Sequence, residues 1–262
     1  MGDVTITVLG SGTSVGVPTI GCDCKVCRSE DPRDRRLRPS VLVSYSGRNI
    51  LIDSGPDFRQ QALRAGIRRI DAILFTHSHA DHIMGLDDVR PFNYRQKDPI
   101  PIYGSDSTIA HIRNSFRYIF ETTPTQSSIP KIVPHCLNGS ALNLFGLEFT
   151  LVPLKHGDGD CLGFRFARAA YLTDHSEIPE NSLPLLQDLD VLFLDALRYK
   201  PHPTHSTVDR SLTYVEALKP KRAFFTHICH DLGHERAESL LPPHVRLAYD
   251  GLQLQVESGV PE

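Results

Sequence analysis

Four side chains with metal-binding chemistry fall within six residues of the 262-residue chain, as His77-x-His79-x-Asp81-His82. Three imidazoles and a carboxylate at that density make a poor core, because each buried nitrogen or carboxylate oxygen needs a partner. As ligands of a borderline divalent cation the same groups are well matched. A second cluster is Cys22-x-Cys24-x-x-Cys27, whose three thiols can grip one zinc and leave its fourth position open. That fourth ligand must come from elsewhere in the chain, and His230, Cys229 and His234 compete for it. The chain has six Cys and thirteen His, and Met1 to Gly12 alternates like a strand, without the charged and apolar regions of a secretory signal. A cytoplasmic location is therefore expected, where clustered thiols indicate metal binding sooner than disulfides. Cys136 and Cys161 carry no motif and read as core or surface residues. The glycine-rich Gly10 to Gly16 lacks both dinucleotide-binding spacing and a P-loop ending, so it reads as a tight turn into the thiol cluster.

These groups need elements to hold them. Short apolar, β-rich runs occur at Thr5–Leu9, Val41–Tyr45, Asn49–Ile52, Ala72–Phe75, Phe149–Val152 and Val191–Leu194, and helical patterns at Asp57–Ala65, 107–120, Val208–Leu218 and Glu235–Leu241. Several apolar runs deliver a ligand type at their carboxyl end, where side chains project into a cleft. Ala72 to Phe75 runs into the His77–His82 motif, Ala170 to Thr173 into Asp174, and Ala223 to Thr226 into His227. Asp53 likewise follows Asn49–Ile52, with a helix N-cap as its simpler role. With 40% hydrophobic and 23% charged residues and no linker or repeat, residues 1–262 read as one layered α/β domain. No apolar run is long enough to cross a bilayer. A net charge of −3 argues against wholesale binding of long nucleic acid. Arg33, Arg35, Arg36 and Arg38 form one basic stretch, read as a solvated loop. Thr122 to Pro134 is the best candidate for an exposed loop, and the aromatic run Phe116 to Phe120 reads as core sooner than as the wall of a nucleotide-sized pocket.

The complete His-x-His-x-Asp-His motif after a hydrophobic strand resembles the signature of the metallo-β-lactamase superfamily, and the resemblance extends over nearly the whole chain. It implies a four-layer αββα sandwich. The remaining family ligands match His156, Asp174 and His227 in order. By that resemblance His77, His79 and His156 hold one metal, Asp81, His82 and His227 the other, and Asp174 bridges them, while Asp53 matches a carboxylate that orients ligand histidines. Two ions about 3.5–4 Å apart would generate a bridging hydroxide near neutral pH and clamp the attacking and leaving oxygens. The two cations, less the Asp81 and Asp174 carboxylates and that hydroxide, leave roughly one positive charge facing the substrate, which complements a phosphodiester monoanion.

The Gly21-Cys-Asp-Cys-Lys-Val-Cys27 segment with the later His230 is more specific. It resembles the cyclic phosphodiesterases associated with the carbon–phosphorus lyase pathway, in which His230 corresponds to a structural-zinc ligand. That resemblance implies two catalytic ions, manganese or zinc, one structural zinc, and hydrolysis of small phosphodiesters such as ribose cyclic phosphates or 2′,3′-cyclic nucleotides. Asp195 to His205 resembles the loop that carries a catalytic histidine outside the metal set. His205 matches it, with His202 close by, and its role would be to protonate the departing alkoxide. Sister enzymes of tRNA 3′-end processing share the ligands but commonly insert a tRNA-binding arm where Gly157 to Thr173 here is short and acidic. Lactone or thioester hydrolysis is a third alternative, since metal geometry alone does not choose a substrate. The reading allows a homodimer.

Overall fold

The fold was taken from a computed structural model that describes residues 3–121 and 127–258. Two seven-stranded sheets dominate it. The first comprises β1 (Asp3–Gly10), β2 (Ser40–Tyr45), β3 (Arg48–Ile52), β4 (Ala72–Leu74), β5 (Ile100–Gly104) and β6 (Ile132–Cys136), flanked on the far side of β1 by β14 (Gln253–Glu257). The second runs in the order β13 (Val245–Leu247), β12 (Arg222–Thr226), β11 (Val191–Asp195), β10 (Ala169–Leu172), β9 (Gly159–Phe166), β8 (Leu147–His156) and β7 (Ala141–Leu144). Each sheet has an antiparallel half and a parallel half, with β3 to β6 and β10 to β13 running parallel.

The sheets face each other across a core in which Val4, Ile6, Val8, Val41, Val43, Ile50 and Ile52 meet Phe149, Leu151, Phe164, Phe166, Tyr171 and Phe193. Outside the first sheet lie α1 (Phe58–Arg64), α2 (Ala80–Ile83), α3 (Arg90–Gln96), α4 (Asp106–Ser115) and α5 (Arg117–Phe120), which cover Leu51, Ile73 and Ile102 with Phe58, Phe92 and Ile112. Outside the second lie α6 (Val208–Leu218) and α7 (His234–Glu238), packed on Leu192, Leu194 and Phe225. This is the αββα sandwich that the family resemblance implies. The parallel strands are buried on both faces, which is why Ala72–Leu74 and Val191–Leu194 read as unbroken apolar runs and not as alternating ones.

The helix edges follow local chemistry. Thr207 caps α6 by accepting from the Arg210 amide, and Val208, Ser211, Val215 and Leu218 form its buried stripe. Ser105 caps α4 in the same way, accepting from the Thr108 amide.

Two expectations need correction. Of the loop expected at Thr122 to Pro134, residues 122–126 lie outside the described residues, but Ile132 to Pro134 forms the start of β6, paired parallel to β5. The basic stretch is not uniformly solvated either. Arg36 is 1% exposed, donating to Asp34 and to the backbone carbonyls of Cys229 and Leu232. A guanidinium offers five donors in a fixed fork, so one side chain can tie its own segment to the 229–232 loop. The aromatic run does pack as core at Phe116 and Ile119, while Tyr118 is exposed and donates its hydroxyl to Asp87. Cys136 is exposed and Cys161 buried.

Candidate metal centre

Most of the chemistry-bearing side chains lie at or just beyond the carboxyl ends of strands: Asp53 after β3, the His77–His82 motif after β4, His156 at the end of β8, Asp174 after β10, Asp195 at the end of β11 and His227 after β12. Three of these, Asp53 (φ 63°), Asp174 (φ 51°) and His227 (φ 57°), adopt the left-handed conformation. That conformation costs a non-glycine residue on the order of 1–3 kcal/mol, and it concentrates at functional sites because it turns a side chain sharply off its strand. The motif itself enters α2, with His77 and His79 before the helix and Asp81 and His82 inside it. Close packing seats this short helix. A side chain on Gly55 would put its Cβ 1.9 Å from the Asp81 carbonyl oxygen, and the Ser54 amide donates to the His82 carbonyl at 2.8 Å.

Seven donors from these loops converge as two adjoining sets. His77, His79 and His156 form one, and Asp81, His82, Asp174 and His227 the other, with the ligand atoms of each set within 4.8 Å of one another. Asp174 Oδ2 stands between them, 3.2 Å from His227 Nε2, 3.3 Å from His82 Nε2 and 3.9 Å from His77 Nε2. His156 Nε2 and His79 Nδ1 are 3.2 Å apart. Nitrogens bound tetrahedrally at about 2.0–2.1 Å sit roughly 3.3 Å from one another, so this spacing suits a cation between them. The buried Nε2 atoms of His77, His82 and His227 and Oδ2 of Asp81 have no hydrogen-bond partner among the described residues. Buried polar atoms aimed at one another and left unpaired are what a cation-binding set looks like. Burial pushes the His77 imidazole well below its ordinary value and the His156 imidazole down to about 4, so both are neutral with a lone pair available.

The other ring nitrogens are held from behind. His82 Nδ1 donates to Asp53 Oδ2 at 2.7 Å, and the same carboxylate accepts from the amide and hydroxyl of Thr76, whose Oγ1 accepts in turn from His77 Nδ1 at 3.0 Å. Asp53 therefore holds the His82 ring and Thr76 and is not a helix cap; Asp57 occupies the cap position of α1. His156 Nδ1 donates to the Thr204 carbonyl at 2.7 Å. Such partners fix which nitrogen faces the cation.

His205 lies against both sets. Its ring stacks on His227 with centroids 4.5 Å apart and meets His156 edge-on at 4.9 Å. The His205 Nδ1 donates to Asp195 Oδ2 at 2.7 Å. Asp195 was not singled out from the sequence, although it ends the apolar run Val191–Leu194 as other site residues end theirs. His202 lies one ring further out, 5.0 Å from His205.

The thiol cluster closes on His230. Its Nδ1 is 3.2 Å from Cys22 Sγ, 3.7 Å from Cys24 Sγ and 3.4 Å from Cys27 Sγ. Sulfur and nitrogen at about 2.3 and 2.05 Å from a tetrahedral zinc lie roughly 3.5 Å apart, so the four groups fit one ion. The competing residues are engaged elsewhere: Cys229 Sγ accepts from the Asp231 amide, and His234 Nε2 pairs with Glu238. The Gly10–Gly16 turn leads into this loop and also pairs with the His227 loop, through Thr13 N to Ile228 O and Ile228 N to Ser11 O.

A family model of the beta-lactamase superfamily domain matches residues 48–228. The crystal structure of a new diphosphatase from the PhnP family superposes with a TM-score of 0.92 at 53% identity, covering 98% of each chain. An octanoyltransferase of Porphyromonas gingivalis is 36% identical over 255 residues, which is 95% of this chain and 51% of that protein. A ribonuclease Z of Bradyrhizobium diazoefficiens is 32% identical over 143 residues, 53% of this chain and 47% of that protein. The chain spans about half the length of these curated relatives.

Proposed function

This chain belongs to the metallo-β-lactamase superfamily, and from that premise we propose that it is a metal-dependent phosphodiesterase acting on small phosphodiesters, with ribose cyclic phosphates and 2′,3′-cyclic nucleotides as the substrate class. The observation that carries this reading is His205, packed against one member of each donor set and held by a buried carboxylate. The PhnP-family diphosphatase at 53% identity adds phosphoryl chemistry in a relative of the same length.

His77, His79 and His156 would hold one divalent cation and Asp81, His82 and His227 the other, with Asp174 available to both. Two such cations, manganese or zinc, would supply an activated water near neutral pH and positive charge for the phosphoryl oxygens. The remaining chemistry belongs to the chain. Asp53, Thr76 and the Thr204 carbonyl keep the ligand rings in the orientation that presents their free lone pairs. Asp195 accepts from Nδ1 of His205 and supports its doubly protonated, imidazolium form, whose Nε2 proton faces the site and can pass to the departing ribose oxygen, leaving the neutral ring bonded to Asp195. An alkoxide leaves poorly without that proton, and general acid catalysis contributes about 10²–10⁴-fold. Cys22, Cys24, Cys27 and His230 would hold a structural zinc, which would brace the His227 loop.

Ribonuclease Z activity is the second reading, favoured by the relative at 32% identity. Against it, residues 157–173 here build β9, β10 and their turn inside the sheet, which leaves no arm for a large RNA. No helix among the described residues is long and apolar enough to cross a membrane. We take 1–262 to act as one catalytic unit that can pair as a homodimer. The test is turnover of 2′,3′-cyclic nucleotides, a bis-aryl phosphate, a tRNA precursor and a lactone, side by side with added metals. Preferred cleavage of the tRNA precursor or the lactone would overturn the assignment.

A further inference from the structure

Asp195 has more to do than its bond to His205 accounts for. It is fully buried, and its Oδ2 accepts from His205 Nδ1 at 2.7 Å and from the His175 amide at 3.1 Å, while Oδ1 has no partner. Thr226 pairs with Asp195 in parallel register on the neighbouring strand, so the two side chains share a face, and the buried Thr226 Oγ1 is also unpartnered. Next to it His227 Nδ1 is buried and unpartnered. Nitrogens of His205 and His227 and a carboxylate oxygen of Asp195 all lie within 4.8 Å of one another. The rings of His77, His82 and His156 each have a protein partner for Nδ1; His227 has none.

A metal-binding imidazole keeps its orientation by donating its second N–H to a carboxylate, carbonyl or water, and buried polar groups without protein partners are the usual hosts of internal water, which makes about three hydrogen bonds. We propose that Asp195 is a shared positioning residue: through one internal water, which accepts from His227 Nδ1 and donates to Asp195 Oδ1, with Thr226 Oγ1 as its third partner, the carboxylate that fixes His205 also orients His227. One side chain thereby couples leaving-group protonation to metal retention. This rests on the reading of His227 as a metal ligand.

The test compares Asp195→Asn with His205→Gln in the metal-loaded protein. Metal retention is read as the chelator concentration that removes half of the catalytic metal, and activity as turnover of a cyclic nucleotide. Loss of an orienting partner of this kind typically costs 10–100-fold in metal affinity. Asp195→Asn is expected to lower both retention, by that factor, and turnover, whereas His205→Gln lowers turnover alone. Equal retention in the two variants would overturn the shared role. Unchanged retention in His227→Ala would instead overturn His227 as a ligand. Nitrogen-15 NMR of the wild-type zinc-loaded protein serves if Asp195→Asn does not fold. A slowly exchanging proton on His227 Nδ1 is expected, and a bare Nδ1 would sink the proposal.

Discussion

Replacing Arg36 with alanine should destabilise the protein by about 3–5 kcal/mol, the usual cost of removing one partner from a buried ion pair. The structure supplies the reasons. Asp34 and Arg36 pair at 2.8 Å with side-chain exposures of 7% and 0%, and the guanidinium also satisfies the carbonyls of Cys229 at 3.0 Å and Leu232 at 2.7 Å. Alanine would leave a buried carboxylate with only the His234 amide as a close partner, and two carbonyls with none from this side. Lysine should recover little, because a point-like ammonium cannot reproduce the fork. Urea denaturation followed by circular dichroism, in excess zinc so that metal loss does not add to the change, gives the number directly. A chain of this size should lose roughly 6–20 °C of melting temperature for that free energy. The clamped carbonyls flank His230, so zinc should also leave the thiol site at a lower chelator concentration. A loss below about 1 kcal/mol would refute the argument, because Arg36 would then be the solvated side chain its sequence neighbours suggest.

Asp174→Ala should largely abolish turnover, since among the described residues no other carboxylate oxygen lies near Nε2 of His77, His82 and His227 together; metal analysis should show fewer ions at the catalytic centre, and full loading with normal turnover would contradict the shared role. His205→Gln should slow 2′,3′-cyclic nucleotide hydrolysis by about 10²–10⁴-fold and leave an activated aryl diester nearly unaffected. A similar loss on both substrates would remove the general-acid role. Cys24→Ser should lower thermal stability and reduce bound metal by one ion per chain while the catalytic ions remain, and an unchanged metal count would mean that the thiol cluster holds none.

Much of this site is legible in the primary structure because metal ligands are polar groups that a core does not tolerate singly. His77, His79, Asp81 and His82 crowd one loop, and Asp174 and His227 interrupt apolar strands at their ends, so their types betray them. A layered α/β domain is legible for a related reason: strands buried on both faces leave unbroken apolar runs such as Ala72–Leu74, and α6 shows its cap and stripe, whereas the αββα order of the layers is implied only by the family resemblance. What lies behind the ligands leaves no such mark. Asp195 ends a strand as Asp53 does, yet its bond to His205 joins two loops whose approach depends on how the second sheet packs. Thr204 contributes a backbone carbonyl, which every residue possesses, so no side chain could announce it. The choice of His230 over Cys229 and His234 is a matter of ångströms between segments some two hundred residues apart. Arg36 looks like its solvated neighbours until the fold buries it. Which residue types could bind a metal is local chemistry and can be read from type and spacing; their convergence, orientation, partner choice and burial are set by distances between remote segments, and those exist only once the two sheets have closed on each other.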